Sequence, residues 1–157
     1  MRIGQGIDVH AFSDDPGRPL VLAGLVVEGA RGLAGHSDAD AATHALMDAL
    51  LSGAGIGDIG RHFPSDDHAF AGAASSVLLE TVLERIAAAG FWCTSASVTI
   101  VAQAPRLAHL LDPMSEALTE AVGAPVSVTA TTTDHLGALG RGEGIAAQAV
   151  ALLEEIS

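Results

Sequence analysis

Asp8 and His10 stand two residues apart in a stretch where Ile3, Ile7 and Val9 alternate with Gly4, Gly6, Asp8 and His10. That alternation predicts a strand over residues 2–10. Side chains two apart on a strand point the same way, with Cα atoms about 6.5 Å apart. Zinc ligands sit about 2.0–2.2 Å from the ion, so an Asp and a His in this relation can share one metal. The same spacing also fits a plain surface Asp–His pair.

A second group is Gly35–His36–Ser37–Asp38–Ala39–Asp40–Ala41–Ala42–Thr43–His44. His44 lies one helical turn after Asp40, and Asp48 one turn after His44, so the three share a side of a helix. The line can be a solvated face or a source of ligands. Its His is flanked by an apolar stripe of Ala41, Ala42, Ala45, Leu46, Ala49 and Leu50, which places it near the core boundary. The helix start offers free N–H groups to an anion beside His36 and Ser37. Three further groups follow: Gly57–Asp58–Ile59–Gly60 with Phe63; Ala102–Gln103–Ala104–Pro105–Arg106; and Thr131–Thr132–Thr133–Asp134 with Arg141. Glycines permit close backbone approach to a ligand, and hydroxyls with a carboxylate suit phosphate and a hydrated metal. A surface loop and the strand preference of threonine explain two of these groups equally simply.

The elements that must position these residues read as follows. After the first strand comes a hairpin, Leu20–Leu22 and Leu25–Val27, turning at Ala23–Gly24. A helix is predicted over about residues 38–52, with Ser37 and Asp40 resembling a capping box. Residues 53–74 read as a long surface loop. A helix over about residues 76–89, ended by Gly90, precedes a strand over about 93–103. A helical stretch over about 106–122, with a possible break at Asp112–Pro113, stops at Gly123. A strand over about 125–132 and a Gly-rich loop lead to a final helix over about 144–155. Val98, Ile100, Val126 and Val128 alternate with Ser97, Thr99, Ser127 and Thr129, giving one apolar face and one small, mildly polar face. The expectation is an α/β (α+β) chain: a single mixed sheet with helices on one face, in one domain spanning 1–157.

Composition narrows the function. The chain has 157 residues and a net charge of -12, with 19 acidic residues against 7 basic ones, all of them arginine. A nucleic-acid partner requires clustered basic residues, which are missing. No apolar run approaches the roughly 18 residues of a membrane span. Cys93 is the single cysteine, so no internal disulfide forms and a cytoplasmic location is expected. A phosphate ligand would depend on metals and helix N-termini for positive field.

Taken together and in this order, the motifs resemble the 2-C-methyl-D-erythritol 2,4-cyclodiphosphate synthase family of the non-mevalonate isoprenoid pathway. They are R-I-G-x-G-x-D-V-H at Arg2–His10, H-S-D-A-D-x-x-x-H-A-L-x-D-A-L at His36–Leu50, G-D-I-G-x-x-F-P at Gly57–Pro64, A-Q-A-P at Ala102–Pro105, and T-T-T-D-x-L-G-x-x-G-R-G-E-G-I-A at Thr131–Ala146. The resemblance implies a lyase that closes 4-diphosphocytidyl-2-C-methyl-D-erythritol 2-phosphate into a cyclic diphosphate and releases CMP. It implies Zn²⁺ on Asp8, His10 and His44, and a second divalent ion, Mg²⁺ or Mn²⁺, at Asp134. His36 and Thr132 would stabilise the transition state, Ser37 would hold phosphate, and Asp58 and Gly60 would grip the erythritol. Ala102, Gln103, Ala104, Pro105 and Arg106 would form the cytidine pocket. Phe63, Thr131, Thr133 and Arg141 complete the implied substrate set. The resemblance also implies a ferredoxin-like arrangement and a homotrimer with sites shared between subunits.

The chain departs from the family pattern at Ala41, at Ser65–Asp66–Asp67, at Asp134–His135 where Glu–Lys is usual, and at Ala138. A zinc hydrolase with Asp40 or Asp58 as base, and a non-catalytic metal-stabilised trimer, are the alternatives.

Overall fold

The computed structural model describes residues 1–64 and 72–156. A four-stranded mixed sheet runs in the order β1-β6-β4-β5, from β1 (Arg2–Ala11), β4 (Phe91–Val101), β5 (Val126–Thr131) and β6 (Gly144–Glu155). β6 is antiparallel to both β1 and β4, while β4 and β5 are parallel. A separate hairpin pairs β2 (Leu20–Leu22) with β3 (Leu25–Val27). Three helices cover one face. α1 (Ala41–Ala54) packs on β1, β6 and β4, and α4 (Leu111–Val122) on β5; α3 (Ser75–Ala88) lies against both helices and β4. The short helices α2 (Ile59–His62) and α5 (Gly137–Gly140) sit in the connections.

The mixed sheet with helices on one face is as expected. The strand order differs from the ferredoxin-like arrangement. That arrangement runs β-α-β-β-α-β, whereas the sheet strands and large helices here run β-α-α-β-α-β-β. Residues 144–155 form a strand and not the expected helix. Their alanines favour a helix locally, but Ile145, Ala147, Ala149, Ala151 and Leu153 are all buried at 0–1% exposure, every second residue. That period of two places the segment between β1 and β4, where both of its edges are hydrogen-bonded.

The glycine face of β1 is the buried one. A Cβ on Gly4 or Gly6 would meet the backbone of α1 at Ala49 and Gly53, or at Ala45 and Ala49. The strand and helix thus touch at backbone distance, and the alanines of α1 face inward with Leu46, Leu50 and Leu51. Each fully buried leucine contributes about 1.5–3 kcal/mol. Ile3, Ile7 and Val9 point the other way and are 73, 58 and 59% exposed.

Several boundaries move. α1 begins at Ala41 with Asp40 as its N-cap, not at Ser37, and ends on Gly55 in the left-handed region. The expected 53–74 loop therefore starts later and contains α2; Ser65, Asp66 and Asp67 lie outside the described residues. A 3-10 turn, Ala108–Leu110, precedes α4. Pro113 falls in the first turn of α4, where a missing N–H breaks nothing, so there is no interruption. Cys93 is buried, and burial pushes its thiol pKa up.

Candidate active site

Asp8 and His10 leave β1 on the α1 side, and His44 comes up from the first turns of α1. Asp8 Oδ2 lies 2.8 Å from His10 Nε2 and 3.1 Å from His44 Nδ1. The two ring nitrogens are 3.3 Å apart. One ligand atom from each residue falls within 4.8 Å of the others, the only such group of three among the described residues. Two imidazoles and a carboxylate form a donor set for a divalent metal ion.

The far side of each ring is held. His10 Nδ1 lies 2.7 Å from the Ala34 carbonyl, so Nδ1 donates and Nε2 is free to ligate. The loop carrying Ala34 is tied to the end of β1, because Ala34 N–H donates to Ala11 O at 2.8 Å. His44 Nε2 lies 2.9 Å from Ser75 Oγ and 3.2 Å from Ser37 Oγ. Burial pushes the Asp8 carboxyl up, but hydrogen bonds and charge from His10 and His44 outweigh it and hold it well below the usual carboxylate range. The hydrogen bond to Asp8 raises His10, against the opposing effect of burial.

Asp40 and Asp48, which share the helix side with His44, do different work. Asp40 is fully buried. It accepts from Ala23 N–H at 2.8 Å, Gly24 N–H at 2.7 Å, Thr43 N–H at 3.0 Å and Thr43 Oγ1 at 2.7 Å. With four donors on two oxygens, Asp40 pins the hairpin turn to the start of α1. It is not a solvated residue, nor is it placed to serve as a general base. Asp48 Oδ1 accepts from Ile59 N–H at 2.7 Å and so anchors α2. Asp58 caps that helix, accepting from Arg61 N–H at 2.9 Å, and is exposed together with Gly60. Burial, and then the charges of Asp58 and Asp8, raise the Asp48 pKa.

His36 is exposed, and its carbonyl accepts from Gly72 N–H at 3.0 Å. Phe63 is buried in the core, with the Arg85 guanidinium 4.8 Å over its ring. Ala102, Gln103, Pro105, Arg106, Thr131 and Thr132 share the lining of a cavity of about 220 Å³ at the adjoining ends of β4 and β5. Ala104 lines a neighbouring one with Pro105, Phe12 and Gly142. His135 N–H donates to Gln103 Oε1 at 3.1 Å, which ties the two loops. Thr132 Oγ1 accepts from Asp134 N–H at 3.1 Å, and Thr133 Oγ1 donates to Leu136 O at 2.7 Å. Arg141 Nε pairs with Glu143 Oε1 at 2.6 Å. Ala41 is fully buried and Ala138 is exposed.

The register brings both groups to one end of the sheet. His10 pairs with Ile145, Val101 with Ala146, and Thr131 with Val101. The candidate metal-ligand group sits where edge strand β1 meets α1, and the threonine group at the end of edge strand β5. Three interstrand steps separate them, about 14 Å.

Sequence reasoning missed Ser75, Asp38 and Arg18. Ser75 falls between the expected 53–74 loop and the helix expected from about residue 76, and Asp38 reads as the start of the helix over about 38–52. Arg18 donates from Nη2 to the Ser37 carbonyl and comes from a loop with no motif. Among the described residues, no helix is long and apolar enough to cross a membrane.

Comparison with known proteins agrees with this architecture. The chain is 51% identical to the 2-C-methyl-D-erythritol 2,4-cyclodiphosphate synthase of Paraburkholderia phymatum, over 99% of each chain. A solved 2C-methyl-D-erythritol-2,4-cyclodiphosphate synthase in a CDP-bound form superposes with a TM-score of 0.87 at 36% identity, over 98% of this chain and all of the other. The bifunctional IspDF from Campylobacter jejuni superposes with a TM-score of 0.93 at 35% identity; the match spans 99% of this chain and 42% of that longer one. The sequence pattern of the YgbB family matches residues 1–154. This chain belongs to the YgbB family.

Proposed function

We propose that this chain, acting as a single catalytic domain over residues 1–157, is the phosphorus–oxygen lyase of isoprenoid precursor synthesis. It converts 4-diphosphocytidyl-2-C-methyl-D-erythritol 2-phosphate into 2-C-methyl-D-erythritol 2,4-cyclodiphosphate and CMP. The observation that carries this reading is the convergence of Asp8, His10 and His44 within 4.8 Å. It occurs in a chain about half identical, end to end, to synthases of that name.

The donor set fits zinc: two imidazole nitrogens and one carboxylate oxygen, with both rings oriented by hydrogen bonds on their far sides. Zinc held there supplies Lewis-acid polarisation of a phosphoryl oxygen. The substrate brings its own nucleophile. Its 2-phosphate oxygen attacks the β-phosphorus, a P–O bond forms, and the bond from that phosphorus to the CMP oxygen breaks. The protein therefore positions and neutralises, and needs no covalent nucleophile. In this reading His36 and Thr132 donate to the pentavalent transition state, and Ser37 holds phosphate. Asp58 and the Gly60 backbone bind the erythritol hydroxyls. Residues 102–106 receive the cytosine and ribose. Asp134 holds a second divalent ion, Mg²⁺ or Mn²⁺, while Arg141 makes a charge-assisted contact to phosphate.

The protein works in the cytoplasm as a homotrimer. Two observations support the trimer. Ile3, Ile7, Val9 and Val150 lie on one sheet face and are 43–73% exposed, an apolar stripe that a second copy would cover. The ligand group and the threonine group stand on opposite edge strands, so each can meet its complement on a neighbouring subunit.

The test is incubation of purified protein with zinc, Mg²⁺ and the cytidyl substrate, followed by phosphorus NMR. CMP with a cyclic diphosphate is the expected result. A linear product incorporating solvent oxygen would make the protein a hydrolase.

A further inference from the structure

Ser75, the first residue of α3, is 31 positions from His44 in sequence, yet its Oγ lies 2.9 Å from His44 Nε2. It is one of the few buried polar residues, at 1% exposure. The same hydroxyl donates to Asp38 Oδ1, and the Ser75 backbone N–H donates to Asp38 Oδ2 at 2.8 Å. The Asp38 carboxylate therefore grips Ser75 at two points.

A serine hydroxyl has one proton and two acceptor lone pairs. The carboxylate is the stronger acceptor and takes the proton, which leaves only lone pairs facing His44. Nε2 must then carry the hydrogen and donate to Ser75 Oγ, with Ser37 Oγ at 3.2 Å as a second acceptor. With Nε2 protonated, the free lone pair of the neutral ring is on Nδ1, the nitrogen that faces Asp8 Oδ2 at 3.1 Å.

We propose that Asp38 and Ser75 are positioning residues: a hydrogen-bonded chain, Asp38–Ser75–His44, sets the tautomer and ring plane that offer Nδ1 to a divalent cation. The inference rests on the reading that Asp8, His10 and His44 hold zinc. His10 is oriented by a backbone carbonyl, which no side-chain substitution removes. His44 is oriented by side chains from two other segments, so its ligating power depends on where α3 begins relative to α1.

Zinc affinity of wild type, Ser75→Ala, Asp38→Asn and the double variant, measured by chelator competition, tests the chain. Circular dichroism first checks that each zinc-free protein is folded. Ser75→Ala is expected to weaken zinc about 10–100-fold, the usual effect of losing an outer partner. Asp38→Asn weakens it less, and adding it to Ser75→Ala changes nothing further, because Asp38 acts through Ser75. Ser75→Thr, which keeps the hydroxyl, restores most of the affinity. Ring ¹⁵N spectra of His44 should show a protonated Nε2 that exchanges faster with water in Ser75→Ala. Unchanged affinity in Ser75→Ala, additive losses in the double variant, or a protonated His44 Nδ1 in the zinc-loaded protein would each overturn the proposal. If wild type itself binds no zinc, the metal reading fails, and the presence or absence of a Ser75-bound proton on His44 Nε2 in the zinc-free protein still decides the relay.

Discussion

His44 Nδ1 lies 3.1 Å from Asp8 Oδ2 across the contact between α1 and β1. Residues 36 positions apart are joined there because β1 and α1 touch at backbone distance through Gly4 and Gly6. The candidate metal-ligand group is a product of that packing.

His44→Ala removes one of the three proposed ligands without touching the core. Zinc binding is expected to be lost and the fold retained. Loss of several kcal/mol of charge stabilisation corresponds to a fall in turnover of roughly a thousandfold or more. Metal content of the purified variant, read beside its circular dichroism, checks both halves; full turnover in a metal-free variant would refute the zinc assignment.

Gly6→Ala places a methyl group against the Ala45 carbonyl and the Ala49 nitrogen. Backbone cannot give way as a side chain can, so β1 must move off α1. Destabilisation of about 3 kcal/mol or more is expected in urea unfolding, with weaker zinc binding because Asp8 moves with the strand. A variant as stable as wild type would show that the close contact is not needed.

Asp40→Ala tests the anchoring role. It removes an N-cap, worth about 1 kcal/mol, and leaves the buried Ala23 N–H without its acceptor, at about 1–3 kcal/mol. The thermal midpoint should fall by roughly 10 °C. Any loss of activity should follow the unfolded fraction; a stable but inactive variant would return Asp40 to the chemistry.

Asp48 gives a pH signature. Its folded pKa is raised above the ordinary value of 3.8, chiefly by burial. The native state thus keeps the proton to higher pH than the unfolded chain, and this group's contribution to stability falls as pH rises from about 4 through the folded pKa. Asp48→Asn keeps the oxygen that accepts from Ile59 and removes the charge. It should flatten that part of the pH–stability curve and raise the midpoint at pH 7. Identical curves for both proteins would exclude the effect.

Ile7→Asp puts a charge on the exposed face of β1, where Ile7 is 58% exposed. The isolated subunit should tolerate it, while the proposed trimer should dissociate. Sedimentation velocity gives the mass; a trimer that survives the substitution would locate the interface elsewhere.

Much of the candidate site was legible because its chemistry is local. Asp8–Val9–His10, the His36–His44 segment and Thr131–Asp134 are short stretches whose spacing follows from strand or helix geometry. The alternation in β4 and β5, the apolar stripe of α1 and the stop at Gly123 likewise depend on near neighbours, and each stands where expected. What the sequence could not determine by itself depends on partners distant along the chain. Residues 144–155 carry a helix-favouring composition, and only hydrogen-bond partners on both sides make them the strand β6. The face of β1 that is buried is the one without side chains at Gly4 and Gly6, a choice made by α1 lying close above it. Asp40 reads as a helix-face carboxylate until the hairpin turn donates to it. Ser75 joins the site only because α3 begins beside α1, where a buried hydroxyl needs a partner and His44 provides it. Local spacing determined which residues have the chemistry; long-range packing decided which of them meet, because hydrogen bonds and close contacts are made in space and not along the chain.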